Sequence, residues 1–136
     1  MKHLGIDYGE KRIGVALSDE AGRVAFPRGT IEAGAGAFSA VDALVKQEGV
    51  QKIVIGEASD LAGQPNRIME DIAQFKKDLE ELCAVPVEYE KEFFTSALAA
   101  RQFAPEEKSR KKNPEHKDLD ASAAALILQS YLDRNN

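Results

Sequence analysis

An aspartate, Asp7, stands inside a glycine-punctuated apolar run, GIDYGEKRIGVALSD, at residues 5 to 19. A charged carboxylate in a central strand is costly unless something pairs with it. Other acidic residues are placed where they could share its site. Glu57 directly follows the apolar run KIVIG, Glu92 follows VEYEK, and Asp118 and Asp120 precede the alanine-rich stretch ASAAALILQSYL. Carboxylates converging from such distant stretches repel one another unless a cation sits between them. Their oxygens suit a hard ion such as Mg²⁺ or Mn²⁺. Two adjacent ions of this kind can activate a water and stabilise the leaving oxygen in phosphodiester hydrolysis.

Each acidic residue also has a plainer reading. Asp7 is of the type that closes a tight turn by accepting backbone N–H bonds, here in DYGEKR. Glu57 suits a polar loop, and Glu92 suits a solvated charge in the alternating EYEKE run. Asp118 reads as the cap of the last helix, and Asp120 gains from that helix's dipole without any catalytic role. Basic residues flank both ends of the set. Lys11 and Arg12 follow Asp7, while Lys108, Arg110, Lys111 and Lys112 precede Asp120. A charged loop is usually only solvated, but beside an acidic site such a cluster suits contact with a phosphate backbone. Phe93 and Phe94 offer faces for an unpaired base or apolar surface for the core.

The elements that must position these residues are legible in outline. HLGIDYG, RIGVALSD and VAFPRGTIE read as three short strands joined by turns, an antiparallel meander. AFSAVDALVKQEG places Phe38, Val41, Leu44 and Val45 on one helical face, with Gly49 as the stop. KIVIG is continuously apolar, as expected for a strand covered on both faces. From Asn66 onward Ile68, Ile72, Phe75, Leu79 and Leu82 follow an amphipathic helical spacing. VPVEYE is a further strand, TSALAARQF a short helix and APEEKSRKKNPEHK a charged loop. The chain ends in a helix over DLDASAAALILQSYLDR, with Leu119, Ala123, Leu126, Ile127 and Ser130 on one side. Three strands followed by alternating helix and strand predict an α/β fold, a mixed five-stranded sheet with helices on both faces. The crossover rule makes the first, fourth and fifth strands parallel. Functional groups then collect at their carboxyl ends, where Asp7, Glu57 and Glu92 fall.

Composition narrows the rest. The chain of 136 residues supports a single domain over residues 1–136 with one substantial core. No apolar run approaches the roughly 20 residues of a membrane span, and the first residues leave no room for a signal peptide. One cysteine, Cys83, excludes an internal disulfide and fits a cytoplasmic protein. Two histidines and that cysteine do not make a zinc site. The formal charge of −5 argues against a non-specific nucleic-acid binder but not against a nuclease.

GIDYGEKRIGVALSD closely resembles the opening motif of the YqgF/RuvX family, described both as Holliday junction resolvases and as pre-16S rRNA nucleases. The likeness recurs at KIVIG, at EFFTSALAA and at DLDASAAALILQSYLD, and so spans almost the whole chain. It implies an RNase H-like fold with sheet order 3-2-1-4-5, and a Mg²⁺- or Mn²⁺-dependent endonuclease for structured nucleic acid, an rRNA precursor or branched DNA. Asp7, Glu92 and Asp120 match the family's acidic residues, so the resemblance makes them the catalytic metal ligands, with Asp7 bridging two ions. In-line attack of water would leave 5′-phosphate and 3′-hydroxyl ends. Lys11 and Arg12 match the family's Lys-Arg. A two-fold junction substrate would favour a homodimer.

Two segments depart from the family. Where it reads Asp-Glu-Arg-Leu-Thr-Thr, this chain has KEFFTS, which keeps Glu92 and Thr95 but replaces the aspartate by Lys91 and the arginine by Phe93. Lys91 offers a phosphate only a point charge in place of a bidentate guanidinium. Where the family reads Gly-Leu-Pro, this chain has Gly56, Glu57 and Ala58. In the related RuvC-type resolvases the second acidic ligand ends the fourth strand, so Glu57 is a further candidate ligand, alone or beside Glu92. Two rivals stand beside the nuclease. One is a non-catalytic member that binds RNA or a protein. The other is a nucleotide-binding ATPase, whose first motif shares Gly5, Asp7 and Gly9 but whose fold needs two such domains.

Overall fold

The computed structural model describes residues 1–9, 11–57, 67–91 and 114–135, with backbone only at 57, 67–69, 91 and 114–120. Strands β1 (His3–Asp7), β2 (Arg12–Ser18) and β3 (Ala25–Glu32) come first, then helix α1 (Ala37–Glu48) and strand β4 (Lys52–Glu57). Helix α2 (Arg67–Cys83), strand β5 (Val87–Lys91) and helix α3 (Pro114–Arg134) complete the order. The five strands form one sheet in the order β3-β2-β1-β4-β5. β1 pairs antiparallel with β2, and β2 with β3, while β1, β4 and β5 run parallel. The meander and the parallel crossovers stand as the sequence predicts.

Alternation along the strands builds two cores. Leu4, Ile6, Ile53 and Ile55 join Val41 of α1 and Ile72, Phe75 and Leu79 of α2 in the larger one. Ala16 and Val54 point to the other face and meet Ala124, Ile127, Leu128 and Leu132 of α3. β4 is therefore covered on both sides, which explains its uninterrupted apolar sequence. α1 ends where Gly49 takes a left-handed conformation (φ 70°) and its N–H reaches the Val45 carbonyl.

The two long helices correct the sequence reading in detail. In α2 the buried stripe runs through Ile72, Phe75, Leu79 and Cys83, and Leu82 is 48% exposed. One turn of 3.6 residues from Leu79 lands on Cys83, so the cysteine takes the core position expected of Leu82. α3 begins at Pro114, not at Asp118. Proline's fixed φ suits the first helical position, and the helix recruits PEHK from what reads as a charged loop. Asp118 thus lies inside the helix and is not its cap. The buried side of α3 carries Ala124, Leu128 and Tyr131, and Leu126 is 38% exposed. The expected short helix TSALAARQF, and Phe93 and Phe94 with it, lie outside the described residues.

Candidate functional site

Asp7 is the last residue of β1, half-buried and paired across the sheet with Gly14 of β2. Its position on the sheet follows from its neighbours two and four residues back. A Cβ on Gly5 would meet Leu128 and the Ala124 carbonyl, and the His3 ring lies 5.8 Å from that of Tyr131. Positions 3, 5 and 7 therefore form the series on the α3 side of β1. Just beyond Asp7 the chain turns sharply. A Cβ on Gly9 would lie 2.5 Å from the Arg12 carbonyl oxygen, so only glycine fits the bend into β2. Lys11 emerges from this turn exposed, and Arg12, half-buried, starts β2 opposite Glu32. The turn thus delivers two cations to the edge where Asp7 ends its strand.

The parallel strands end at that same edge. Ile6 pairs with Ile55, Gly56 with Glu90 and Glu57 with Lys91. Asp7, Gly56 and Glu90 consequently lie in one row across β1, β4 and β5. α3 runs antiparallel to these strands, since Tyr131 lies near His3 and Ala124 near Gly5. One further turn toward its N-terminus, about 6 Å of rise, leads from Ala124 to Asp120. Two further strand residues, about 6.6 Å, lead from Gly5 to Asp7. The helix backbone therefore carries position 120 toward the level of Asp7.

The remaining sequence candidates divide by what is described. Asp120, Glu57 and Lys91 have backbone positions only. Glu92, Thr95, Lys108, Arg110, Lys111 and Lys112 lie outside the described residues. Among the described side chains no three of His, Cys, Asp and Glu form a metal-binding group. Among the described side chains the imidazole and thiol donors also lie away from Asp7. The described histidine, His3, stands at the opposite end of β1, and Cys83 belongs to the core on the other face. The Asp7 carboxylate is an oxygen donor of the kind that suits Mg²⁺ or Mn²⁺.

One buried polar cluster escaped the sequence reading. Glu90, near the end of β5, is 1% exposed. Its carboxylate accepts a hydrogen bond from the Ser130 hydroxyl at 2.7 Å and pairs with the Arg134 guanidinium. Two positions earlier, Glu88 accepts from the Tyr131 hydroxyl at 3.0 Å and pairs with Lys52 at 2.9 Å. The Lys52 bond, more than the Tyr131 bond, holds the Glu88 carboxyl below its usual range. Desolvation lowers the His3 imidazole, against its bond to the Met1 carbonyl. A signal for these contacts does exist in the chain: the period-two acids of EYE and the helical spacing of Ser130 and Arg134.

A family model described as "RuvX: Holliday junction resolvase" matches residues 1–134. Among relatives named "Putative pre-16S rRNA nuclease", that of Shouchella clausii is 37% identical, covering 100% of this chain and 97% of the relative. One from Bacillus cereus (strain B4264) is 38% identical over 98% of this chain and 99% of its own. In three dimensions the chain is similar to T. thermophilus RuvC solved with a Holliday junction substrate, at TM-score 0.60 and 16% identity over 100% of this chain and 96% of that one. It is also similar to a fowlpox virus resolvase solved with junction DNA, at TM-score 0.57 and 12% identity over 99% of both chains. At such identities the structural likeness bears on the fold alone.

Proposed function

The chain belongs to the RuvX family, and from that premise we propose that it is a divalent-metal-dependent endonuclease for structured nucleic acid, working as a single domain over residues 1–136. The observation that supports the reading is the antiparallel course of α3, whose N-terminal half runs toward the end of the sheet where Asp7 closes β1. Asp7, Glu92 and Asp120 would hold Mg²⁺ or Mn²⁺, with Glu57 as a further candidate. Bound ions of this class neutralise phosphoryl oxygens and promote attack by water.

What the chain's own residues contribute is placement. Asp7 is fixed by β1 pairing on both sides and by the Gly9 turn behind it. Lys11 and Arg12, carried by that turn, would contact phosphates beside the scissile bond. Lys91, Thr95, Lys108, Arg110, Lys111 and Lys112 would extend the phosphate track. Phosphate contacts set position and register and carry no sequence information, which suits a substrate recognised by shape. Relatives' names point to an rRNA precursor and the family description to a four-way DNA junction; the latter, being two-fold, would be served by a homodimer. Among the described residues no helix is long and apolar enough to cross a membrane, and a lone cysteine suits the reducing cytoplasm.

The test is cleavage of a four-way DNA junction and of an rRNA-precursor duplex, with Mg²⁺ and with Mn²⁺, by the wild type and by Asp7→Asn. Cleavage of at least one substrate, lost in the variant, is expected. No cleavage of either, or cleavage that Asp7→Asn leaves untouched, overturns the proposal. The first of those outcomes would favour a non-catalytic binding member, the reading that the KEFFTS and Gly-Glu-Ala departures support.

A further inference from the structure

The contact between α3 and the sheet is close. Leu128 and the Ala124 carbonyl abut the bare backbone of Gly5, and Ile127 abuts Gly56, in a cluster that also holds Ala16 and Val54. A slip of one turn would move Asp120 by about 5.4 Å, far beyond the tolerance of carboxylate ligands to a small hard ion. Polar contacts can fix that register beside the apolar packing.

Three polar clasps do so. Gln129 bonds the Arg23 carbonyl at 2.9 Å and the Ala25 N–H at 2.8 Å, tying α3 to β3. Tyr131 bonds Glu88, a half-exposed group at the start of β5. Glu90 is different, because its carboxylate is buried and its partners, Ser130 and Arg134, sit one turn apart on α3. An ion withdrawn from water costs several kcal/mol unless it is fully paired, so displacing α3 from Glu90 leaves a charge with no compensation. Registry is the best-attested use of such buried pairs.

We propose that Glu90 is a positioning residue that locks the axial register of α3 on β5 and thereby sets the level of position 120 against the carboxyl ends of β1 and β5. β5 leads to Glu92 two residues beyond Glu90, and α3 carries Asp120 ten residues before Ser130. One side chain thus ties together the strand that precedes Glu92 in the sequence and the helix that contains Asp120. The inference rests on the reading that Asp120 and Glu92 hold the ions.

The experiment compares the wild type, Glu90→Gln, the double variant Glu90→Leu/Arg134→Met, Asp7→Asn and Asp120→Asn. Three quantities are measured: Mn²⁺ affinity of the free protein by calorimetry, the urea midpoint, and kcat and KM for cleavage. The double variant removes the buried charge together with its partner, so its urea midpoint should stay at or above that of the wild type. Its Mn²⁺ affinity should fall about tenfold or more, as for outer-shell partners of metal ligands, and kcat should fall with KM unchanged. Glu90→Gln keeps an acceptor for Ser130 and the volume of the side chain, so it reports the same loss if the double variant does not fold. Mn²⁺ binding that is sensitive to Asp7→Asn and Asp120→Asn but unaltered by both Glu90 variants overturns the positioning role while leaving the nuclease reading intact. Binding insensitive to the two aspartate variants sinks the metal-site reading, and the positioning role with it.

Discussion

A methyl group on Gly5 would lie 2.7 Å from the Cβ of Leu128 and 3.0 Å from the Ala124 carbonyl oxygen, so β1 and α3 meet there with no room for a side chain. The opposing carbonyl oxygen is backbone and can yield only if the whole helix moves. A methyl on Gly56 would lie 2.6 Å from Ile127, but from the Cδ1 end of a flexible side chain. Gly5→Ala is therefore expected to cost about 1–3 kcal/mol, the usual range for overpacking, and to depress kcat by pushing α3 away from Asp7. Gly56→Ala should cost under about 1 kcal/mol, since Ile127 can change rotamer. Urea unfolding of the two variants checks the difference; equal losses would contradict the contact.

How far the sequence alone reached depended on whether a signal was local. β1, β4 and β5 declare themselves through period and apolar content, and with the crossover rule those fix the sheet order that β1–β4 and β4–β5 pairing displays. Asp7 at a strand end is legible for the same reason. The start of α3 is not, because PEHK is as charged as a loop and only Pro114 hints at a helix start. Leu82 and Leu126 show why a helical stripe alone does not select the buried side: Cys83 and Leu128 outcompete them once the neighbouring elements are in place. The burial of Glu90 has no local signal, because it depends on Ser130 and Arg134, some forty residues later in the chain.

Lys52 and Glu88 set a pH window. The Glu88 carboxyl is held below the usual carboxylate range, chiefly through its bond to Lys52 and then that to Tyr131. The Lys52 ammonium is held above the usual lysine range, through the bonds to Glu88 and then Tyr131. Stability from the lowered carboxyl is present above the unfolded value and lost as pH falls through the folded one. Stability from the raised ammonium is present below its unfolded value and lost as pH climbs through the folded one. Lys52→Met and Glu88→Gln should therefore lower the melting temperature near pH 7 and matter less at strongly acid or strongly alkaline pH. The effect should be small, since Glu88 is 46% exposed and solvent screens the pair. A destabilisation that stays constant from pH 3 to 11 would show that the charges contribute nothing.

Cys83 is buried between α1 and α2, and its thiol is pushed up to about 11, first by desolvation and then by the nearby Asp42 carboxylate. Thiolate is the reactive form, so at pH 8 well under 1% of a group titrating near 11 is available. Alkylation of the native protein by iodoacetamide at pH 8 should be far slower than for a free cysteine. Urea should restore the ordinary rate. Fast labelling without denaturant would contradict the burial.

If Lys111 and Lys112 touch phosphates, each contact releases condensed counterions, and the logarithm of affinity falls more steeply with that of salt concentration. Replacing both by alanine should weaken binding to a four-way junction and to duplex RNA alike, because backbone contacts carry no sequence information. The salt slope should flatten by about 1 to 2 units. An unchanged slope, measured by fluorescence anisotropy between 50 and 200 mM salt, would remove both residues from the interface.

The choice between Glu57 and Glu92 as second acidic ligand turns on strand period. Ile53 and Ile55 pack into the core on the side of α1 and α2, while Val54 faces α3 and Gly56 abuts Ile127 of that helix. Position 57 continues the series of Ile53 and Ile55, whereas position 7 continues that of His3 and Gly5 on the α3 side. In β5, Glu88 and Glu90 contact α3, and Glu92 is the next member of their series in the sequence. Glu92→Gln is thus expected to abolish Mn²⁺-dependent cleavage, as Asp7→Asn does, and Glu57→Gln to retain activity within about tenfold of the wild type. The reverse pattern would mean that β4 twists its final residue across the sheet edge, and the site would then take its second acid from Glu57, in the manner of the RuvC-type arrangement.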